Sequence, residues 1–170
     1  FPGVRANEDV SFAVNEGEIH AFLGENGAGK TTLMNCIYGL YTPDAGEVYW
    51  KGTQVQIKSI RDAIELGIGM VHQHFMLVHN LTVLENIMLG MQSRFGPFLD
   101  KKGIAAGVNR LMTQYGLSVD LNSEIWQLPV GTQQKVEIMK ILYRQAKLLI
   151  LDEPTAVLTP DEVEGFFEML

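Results

Sequence analysis

The sequence predicts an α/β fold with an antiparallel β portion and an inserted helical stretch, on three observations. An apolar run, residues 19–23, leads into the glycine-rich stretch Gly24-Glu25-Asn26-Gly27-Ala28-Gly29-Lys30-Thr31-Thr32 and then into helical spacing through Tyr38. That order reads as buried strand, tight loop and helix. A second apolar run, residues 148–151, ends in two adjacent acids, Asp152 and Glu153. Between them, residues 82–91 and 103–115 carry helical periodicity with no strand pattern.

Taken in order, residues 1–18 alternate apolar and polar around residues 10–14, with a turn at Asn15-Glu16-Gly17, the pattern of an antiparallel strand and hairpin. After the loop and its helix, Thr42-Pro43-Asp44-Ala45-Gly46 is a strong turn signal. Residues 47–50 and 55–57 flank Lys51-Gly52-Thr53 as a second hairpin. Residues 59–66 read as a short helix, with Ser59 as its N-cap and Gly67 as its stop. Residues 68–71 are a short buried strand. The two helices of the middle are separated by a loop, Phe95-Gly96-Pro97-Phe98. An amphipathic helix is expected over 136–144, a fully buried strand over 148–151 and a last helix from Asp161 to the end.

The length of 170 residues suits one domain able to bury a core. An apolar content of 46% and a charged content of 19% are those of an ordinary soluble globular protein. A net charge of -7 speaks against a nucleic-acid surface, which is normally basic. No apolar run approaches the roughly 18 residues of a membrane span, and no signal-peptide pattern is present. The lone Cys36 excludes an internal disulfide and fits packing in a reducing compartment. The chain opens on Phe1 and closes within a helical pattern, so a segment of a longer protein is expected.

The glycine-rich stretch fits G-x-x-x-x-G-K-[ST], the phosphate-binding loop, without mismatch. Glycines let successive backbone N–H groups turn inward around phosphate oxygens with no Cβ in the way. Lys30 is expected on the β- and γ-phosphates and the Thr31 hydroxyl on Mg²⁺. The helix that follows aims its positive end at the same phosphates. The sequence therefore predicts a nucleoside triphosphate site. Asp152 at the strand end suits the Mg²⁺ shell, and Glu153 is placed to polarise an attacking water. His72, His74 and His79 could form half of a transition-metal site, but no Cys or further His completes it, and none is expected. Met70, Met76, Met88 and Met91 read as adaptable packing near a partner surface.

Between the two motifs stand Val71-His72-Gln73-His74-Phe75 and Leu128-Pro129-Val130-Gly131-Thr132-Gln133-Gln134-Lys135, and after them Pro154-Thr155-Ala156-Val157-Leu158-Thr159. In that order and spacing the chain resembles the ATP-binding subunit of an ABC transporter over nearly its whole length. The segments 69–77 and 142–144 are similar to those of importers for simple sugars and nucleosides, in the N-terminal half of a tandem ATPase chain. The resemblance implies a P-loop NTPase (RecA-like) core over residues 1–76 and 136–170, with the β subdomain, and a helical subdomain over 77–135. It implies that Phe1 stacks on adenine, a contact worth about 1–3 kcal/mol. It further implies that Gln73 reaches Mg²⁺ and the attacking water and links the site to a membrane partner. The loop Leu128 to Gln133 would cap the γ-phosphate of a second ATPase unit, with a helix N-terminus near Gln133 pointing across that interface. Implied partners are that second unit, transmembrane permease subunits and an external substrate-binding protein, with the ATPase on the cytoplasmic face of the membrane.

The chain departs from the family at the signature loop, where Pro129 stands in place of a serine and Val130 in place of a glycine. Pro129 brings neither a hydroxyl nor a backbone donor, so the partner's site is expected to be weakened while the site of Lys30, Asp152 and Glu153 stays intact. Thr159 or Leu158 stands where an aspartate is usual, which touches communication between the sites. The family's switch histidine falls beyond Leu170, so the segment alone is expected to hydrolyse ATP poorly. The function expected is ATP binding and hydrolysis that powers import of a nucleoside or simple sugar. The alternative is a nucleotide-dependent dimer clamp with little turnover.

Overall fold

The computed structural model describes residues 3, 5–73, 75–91, 99–156 and 158–169. His74 and the loop at 95–98 lie outside the described residues. The chain divides into two units, residues 1–68 and 69–170.

In the first unit, α1 (Lys30–Ile37) follows the glycine-rich loop, and a hairpin of β1 (Val48–Trp50) and β2 (Thr53–Val55) precedes α2 (Ile60–Leu66). The hairpin pairs Val48 with Val55, Tyr49 with Gln54 and Trp50 with Thr53. Its loop is therefore only Lys51-Gly52, both at positive φ (51° and 78°), the mirror-image turn that matches strand twist. Thr53, expected in the turn, joins the ladder. The α2 boundaries are set by local chemistry, as the sequence indicates. The Ser59 hydroxyl accepts from the Asp62 N–H at 3.3 Å, and Gly67 closes the helix at φ 86°.

Two expected strands are absent from this unit. Residues 10–14 and 19–23 have no ladder, and Ile19 and Leu23 are 88% and 93% exposed. The turn between them does form. The Glu18 N–H donates to the Asn15 carbonyl at 3.2 Å, and Asn15 donates back to the Glu18 carboxylate from its backbone and side chain. Phe12 then meets Phe22 edge-on, with centroids 4.7 Å apart. Rings and turn bring the two arms together, but a strand also needs non-local backbone partners and one-sided burial. Neither is supplied to these residues by the described residues of the unit.

In the second unit, β3 (Ile68–Val71) begins at the boundary and pairs with β4 (Leu148–Leu151). Among the described residues the helices are α3 (Val83–Met88), α4 (Lys101–Gln114), α5 (Val130–Tyr143) and α6 (Pro160–Met169), with a 3₁₀ turn at Ile125–Gln127. Three expectations are corrected. Helix α3 stops at Met88 rather than running to 91. Helix α5 starts at Val130 rather than 136 and is not amphipathic: it buries Gly131, Gln133, Gln134, Val136, Glu137, Ile138, Met139 and Ile141. Strand β4 is only half-buried apart from Ile150. Helix α5 is the common wall of two apolar clusters. Val136 and Met139 pack with Val83, Ile87, Val108 and Ile125, while Ile138 and Ile141 pack with Val71 and Phe166. Gly69 makes the approach of β3 possible, since a Cβ there would lie 2.1 Å from Ile141 Cγ2.

Helix α3 is fixed at its start by a capping box. Thr82 Oγ1 accepts from the Glu85 N–H at 3.2 Å, and the Glu85 carboxylate accepts from the Thr82 N–H at 3.0 Å. Asn86, fully buried, donates to the carbonyls of Val78 and Thr82 at 3.0 Å and accepts from the Val78 N–H at 2.7 Å, locking the loop that enters the helix. No helix among the described residues is long and apolar enough to cross a membrane.

Two outcomes follow from the capping box. Thr82→Ala is expected to lower the stability of the chain by about 1 kcal/mol, read as a lower denaturation midpoint at unchanged slope. The Glu85 carboxyl is held below its ordinary value by the Thr82 N–H, then by the Thr82 hydroxyl, with Lys101 adding to it. A lowered folded-state pKa stabilises above the ordinary carboxylate range and ceases to do so as pH falls through the folded value. Glu85→Gln should therefore flatten part of the acid limb of the stability curve and leave its form in alkali unchanged.

Candidate functional site

The residues singled out from the sequence fall into two groups, one on each unit. On the first, the loop from Gly24 to Thr32 enters α1 through Gly29, at φ 91°, in the left-handed region closed to most side chains. A Cβ at Gly29 would also lie 2.2 Å from the Ala6 carbonyl oxygen. Gly27 has φ 82°, and the Ala28 N–H donates to the Glu25 carbonyl at 3.2 Å, folding the loop back on itself. Lys30 Nζ donates to the carbonyls of Gly24 and Glu25 at 2.7 and 2.9 Å, so its ammonium sits over the concave side of the loop. Gly24 to Ala28 and Thr31 are exposed. Helix α1 takes no side-chain cap and has no acid in its first turn, which leaves its positive end available to an anion. Cys36, half-buried on α1, has its thiol pKa pushed up by burial and then by Asp44, as suits packing. Phe1 lies outside the described residues.

On the second unit, Gln73 and Glu153, separated by 80 positions, meet directly: Gln73 Nε2 donates to Glu153 Oε2 at 2.9 Å. Gln73 follows the end of β3 and Glu153 follows β4, so the pairing of these strands carries the two side chains to one place. The Asp152 N–H donates to the Val71 carbonyl at 3.1 Å, extending the contact past the strand ends. Glu153 has φ 47°, in the left-handed region unusual for a residue with a side chain. The turn it opens is closed by the Ala156 N–H on the Glu153 carbonyl at 3.1 Å. Glu153 is exposed and Asp152 half-buried, each a carboxylate within reach of solvent.

The signature loop leads into α5. The Gln133 N–H donates to the Pro129 carbonyl at 3.0 Å, and Gln133 Nε2 reaches back to the Leu128 carbonyl at 2.9 Å. Pro129 precedes the helix and offers no side-chain cap. Pro129 and Val130 are exposed, Thr132 is half-buried and Gly131 is buried. The helix start expected near Gln133 is thus one turn earlier. At the far end of the acid turn, the Thr159 carbonyl accepts from the Val163 N–H at 3.0 Å and begins α6.

Two features were given no role in the sequence reading. Gln134 is 1% exposed and donates from Nε2 to the Pro154 carbonyl, next to Glu153. Lys140, paired with the buried Glu137 at 3.1 Å, donates to the Met76 carbonyl at 3.0 Å, close behind Gln73. The only sequence signal was the presence of polar residues within an otherwise apolar helical run. Among the described residues no cluster of three or more His, Cys, Asp or Glu side chains could hold a metal ion.

Comparison with known proteins matches this geometry to a family. The ABC transporter family profile matches residues 7–156. The chain is 52% identical over 97% of its length to the nucleoside import ATP-binding protein NupA of Lactococcus lactis. It is 49% identical over its whole length to the guanosine import ATP-binding protein NupO of Bacillus subtilis, and 44% identical to the ribose import ATP-binding protein RbsA of Hahella chejuensis. It spans about a third of these relatives, 33%, 33% and 34% of their respective lengths. Among solved structures, a nucleotide-free ATP-binding cassette from an ABC transporter superposes with a TM-score of 0.84 at 27% identity, covering 98% of this chain and 70% of that one. A dimeric bacterial ABC transporter cassette superposes at 0.79 and 27% identity, covering 96% and 72%. The chain belongs to the ABC transporter family and carries the fold of its ATP-binding cassette.

Proposed function

We propose that the protein binds ATP on the loop from Gly24 to Thr32 and hydrolyses it to drive import of a nucleoside or simple sugar through partner membrane subunits. The observation that carries the proposal is the 2.9 Å contact between the Gln73 amide and the Glu153 carboxylate. It sets a hydrogen-bonding side chain on an acid that is otherwise open to solvent, which suits a base that must accept a proton from water. The relatives support the transport reading, being import ATP-binding proteins for a nucleoside, guanosine and ribose.

Backbone N–H groups of the loop would hold the phosphate chain, and Lys30 would exchange the carbonyls of Gly24 and Glu25 for β- and γ-phosphate oxygens. Thr31, Gln73 and Asp152 offer hydroxyl, amide and carboxylate oxygens, a hard donor set that suits Mg²⁺. When bound, Mg²⁺ would offset charge on the phosphates. Glu153 would take a proton from the water that attacks the γ-phosphorus, the bond to the ADP oxygen breaking as inorganic phosphate forms. Phe1 would stack on adenine. Catalysis would be mainly positioning and charge stabilisation.

In this reading the nucleotide core comprises residues 1–76 and 136–170, and the helical part, 77–135, passes motion to the permease together with Gln73. The loop Leu128 to Gln133 would act on a second ATPase unit of the same parent chain, weakly because of Pro129 and Val130. An external substrate-binding protein would deliver cargo, and the ATPase would sit on the cytoplasmic face of the membrane.

Steady-state turnover of the membrane-assembled parent protein tests the proposal. Glu153→Gln should leave ATP bound and reduce turnover on the order of 10²–10⁴-fold; undiminished turnover would instead make this half an ATP-holding clamp. Lys30→Ala should weaken ATP binding itself by roughly tenfold to a hundredfold, the size of a lost charge-assisted contact. Equilibrium titration with labelled ATP reads that loss directly.

A further inference from the structure

We infer that Gln134 is a positioning residue for Glu153, holding the backbone from which the base projects; this rests on the hydrolytic reading above. Gln134 lies on α5, one turn beyond Val130, and is 1% exposed. Its Nε2 donates to the Pro154 carbonyl, while its Oε1 is buried with no hydrogen-bond partner among the described residues. A buried amide with one end unsatisfied destabilises a fold relative to an apolar side chain of the same size. The feature it maintains is therefore the bond at its other end.

That bond falls at a strained place. Glu153 sits at φ 47°, a conformation that a residue with a Cβ keeps only when its surroundings over-determine it. The restraints can be named. Upstream, the Asp152 N–H is tied to the Val71 carbonyl. Downstream, the Pro154 carbonyl is tied to Gln134. Across the turn, the Ala156 N–H is tied to the Glu153 carbonyl. At the tip, Gln73 meets the carboxylate. Of the two side chains in this set, Gln73 touches the carboxylate itself and Gln134 touches only the main chain. Gln134 thus fixes where Glu153 points without contacting the reacting atoms. Because it belongs to the helix that the signature loop begins, the same side chain registers that helix against the base.

The test is steady-state ATPase kinetics of the assembled parent protein carrying Gln134→Leu, which keeps the volume and removes the donor. The expected result is a fall in kcat on the order of tenfold or more, the scale of a displaced catalytic group. KM for ATP should stay at the wild-type value and the thermal unfolding midpoint should not fall. Gln134→Glu supplies a second readout. Only its protonated carboxyl can donate to the Pro154 carbonyl, so its kcat relative to wild type should rise as pH falls. An unchanged kcat in Gln134→Leu, or a loss that follows the unfolding midpoint, overturns the inference, as does a flat pH ratio for Gln134→Glu. Glu153→Gln in the same assay separates the two levels. If it abolishes turnover while Gln134→Leu does nothing, only the positioning role fails; if it leaves turnover intact, the hydrolytic reading fails and the inference with it.

Discussion

Helix α5 is enclosed on most of its faces, and its polar side chains must find partners inside the protein. Gln133, Gln134 and Glu137 are all buried on it, and an amide or carboxylate removed from water destabilises the fold unless it is hydrogen-bonded. Each therefore reaches for backbone or charge nearby. Gln133 closes the signature loop on the Leu128 carbonyl. Gln134 takes the Pro154 carbonyl. Glu137 holds Lys140, whose ammonium takes the Met76 carbonyl, and Arg144 donates to the Leu89 carbonyl at the end of α3. The loops of the second unit are arranged by this need, and the segments around Gln73 and Glu153 are among them.

The consequence for the site is that apolar packing and polar satisfaction act on the same element. Val136 and Met139 anchor α5 in one cluster, Ile138 and Ile141 in the other, and Gly69 lets β3 lie close against it. These contacts fix the rotation of the helix, and the rotation decides which loop each polar residue can reach.

What was legible in the sequence was what local chemistry decides. Ser59 and Gly67 bound α2 because a hydroxyl acceptor and a left-handed glycine act within one turn. Lys51 and Gly52 announce a hairpin for the same reason. The glycine-rich motif and the Asp152-Glu153 pair stood out because each pattern is carried by contiguous residues. The runs at 10–14 and 19–23 read as strands, yet a strand depends on partners far away in the chain, and periodicity is silent on those. The start of α5 was missed because Pro129, Val130 and Gly131 carry little helix propensity, and its buried glutamines break the apolar pattern. Gln73 was singled out through resemblance, not periodicity. Gln134 stood in the signature segment with no role of its own, since its partner is a carbonyl 20 positions away.

The left-handed Glu153 has a consequence for anyone wishing to toughen this protein. Glycine, and to a lesser degree asparagine, adopts that backbone with less strain, so a search for more heat-resistant variants would be drawn to position 153. The variants it selected would keep the shape of the turn and discard the carboxylate. With Glu153 as the base proposed above, durability and turnover would pull in opposite directions at this residue. On that proposal, a screen scored on melting temperature alone would enrich proteins that outlast their parent and have lost its proposed base.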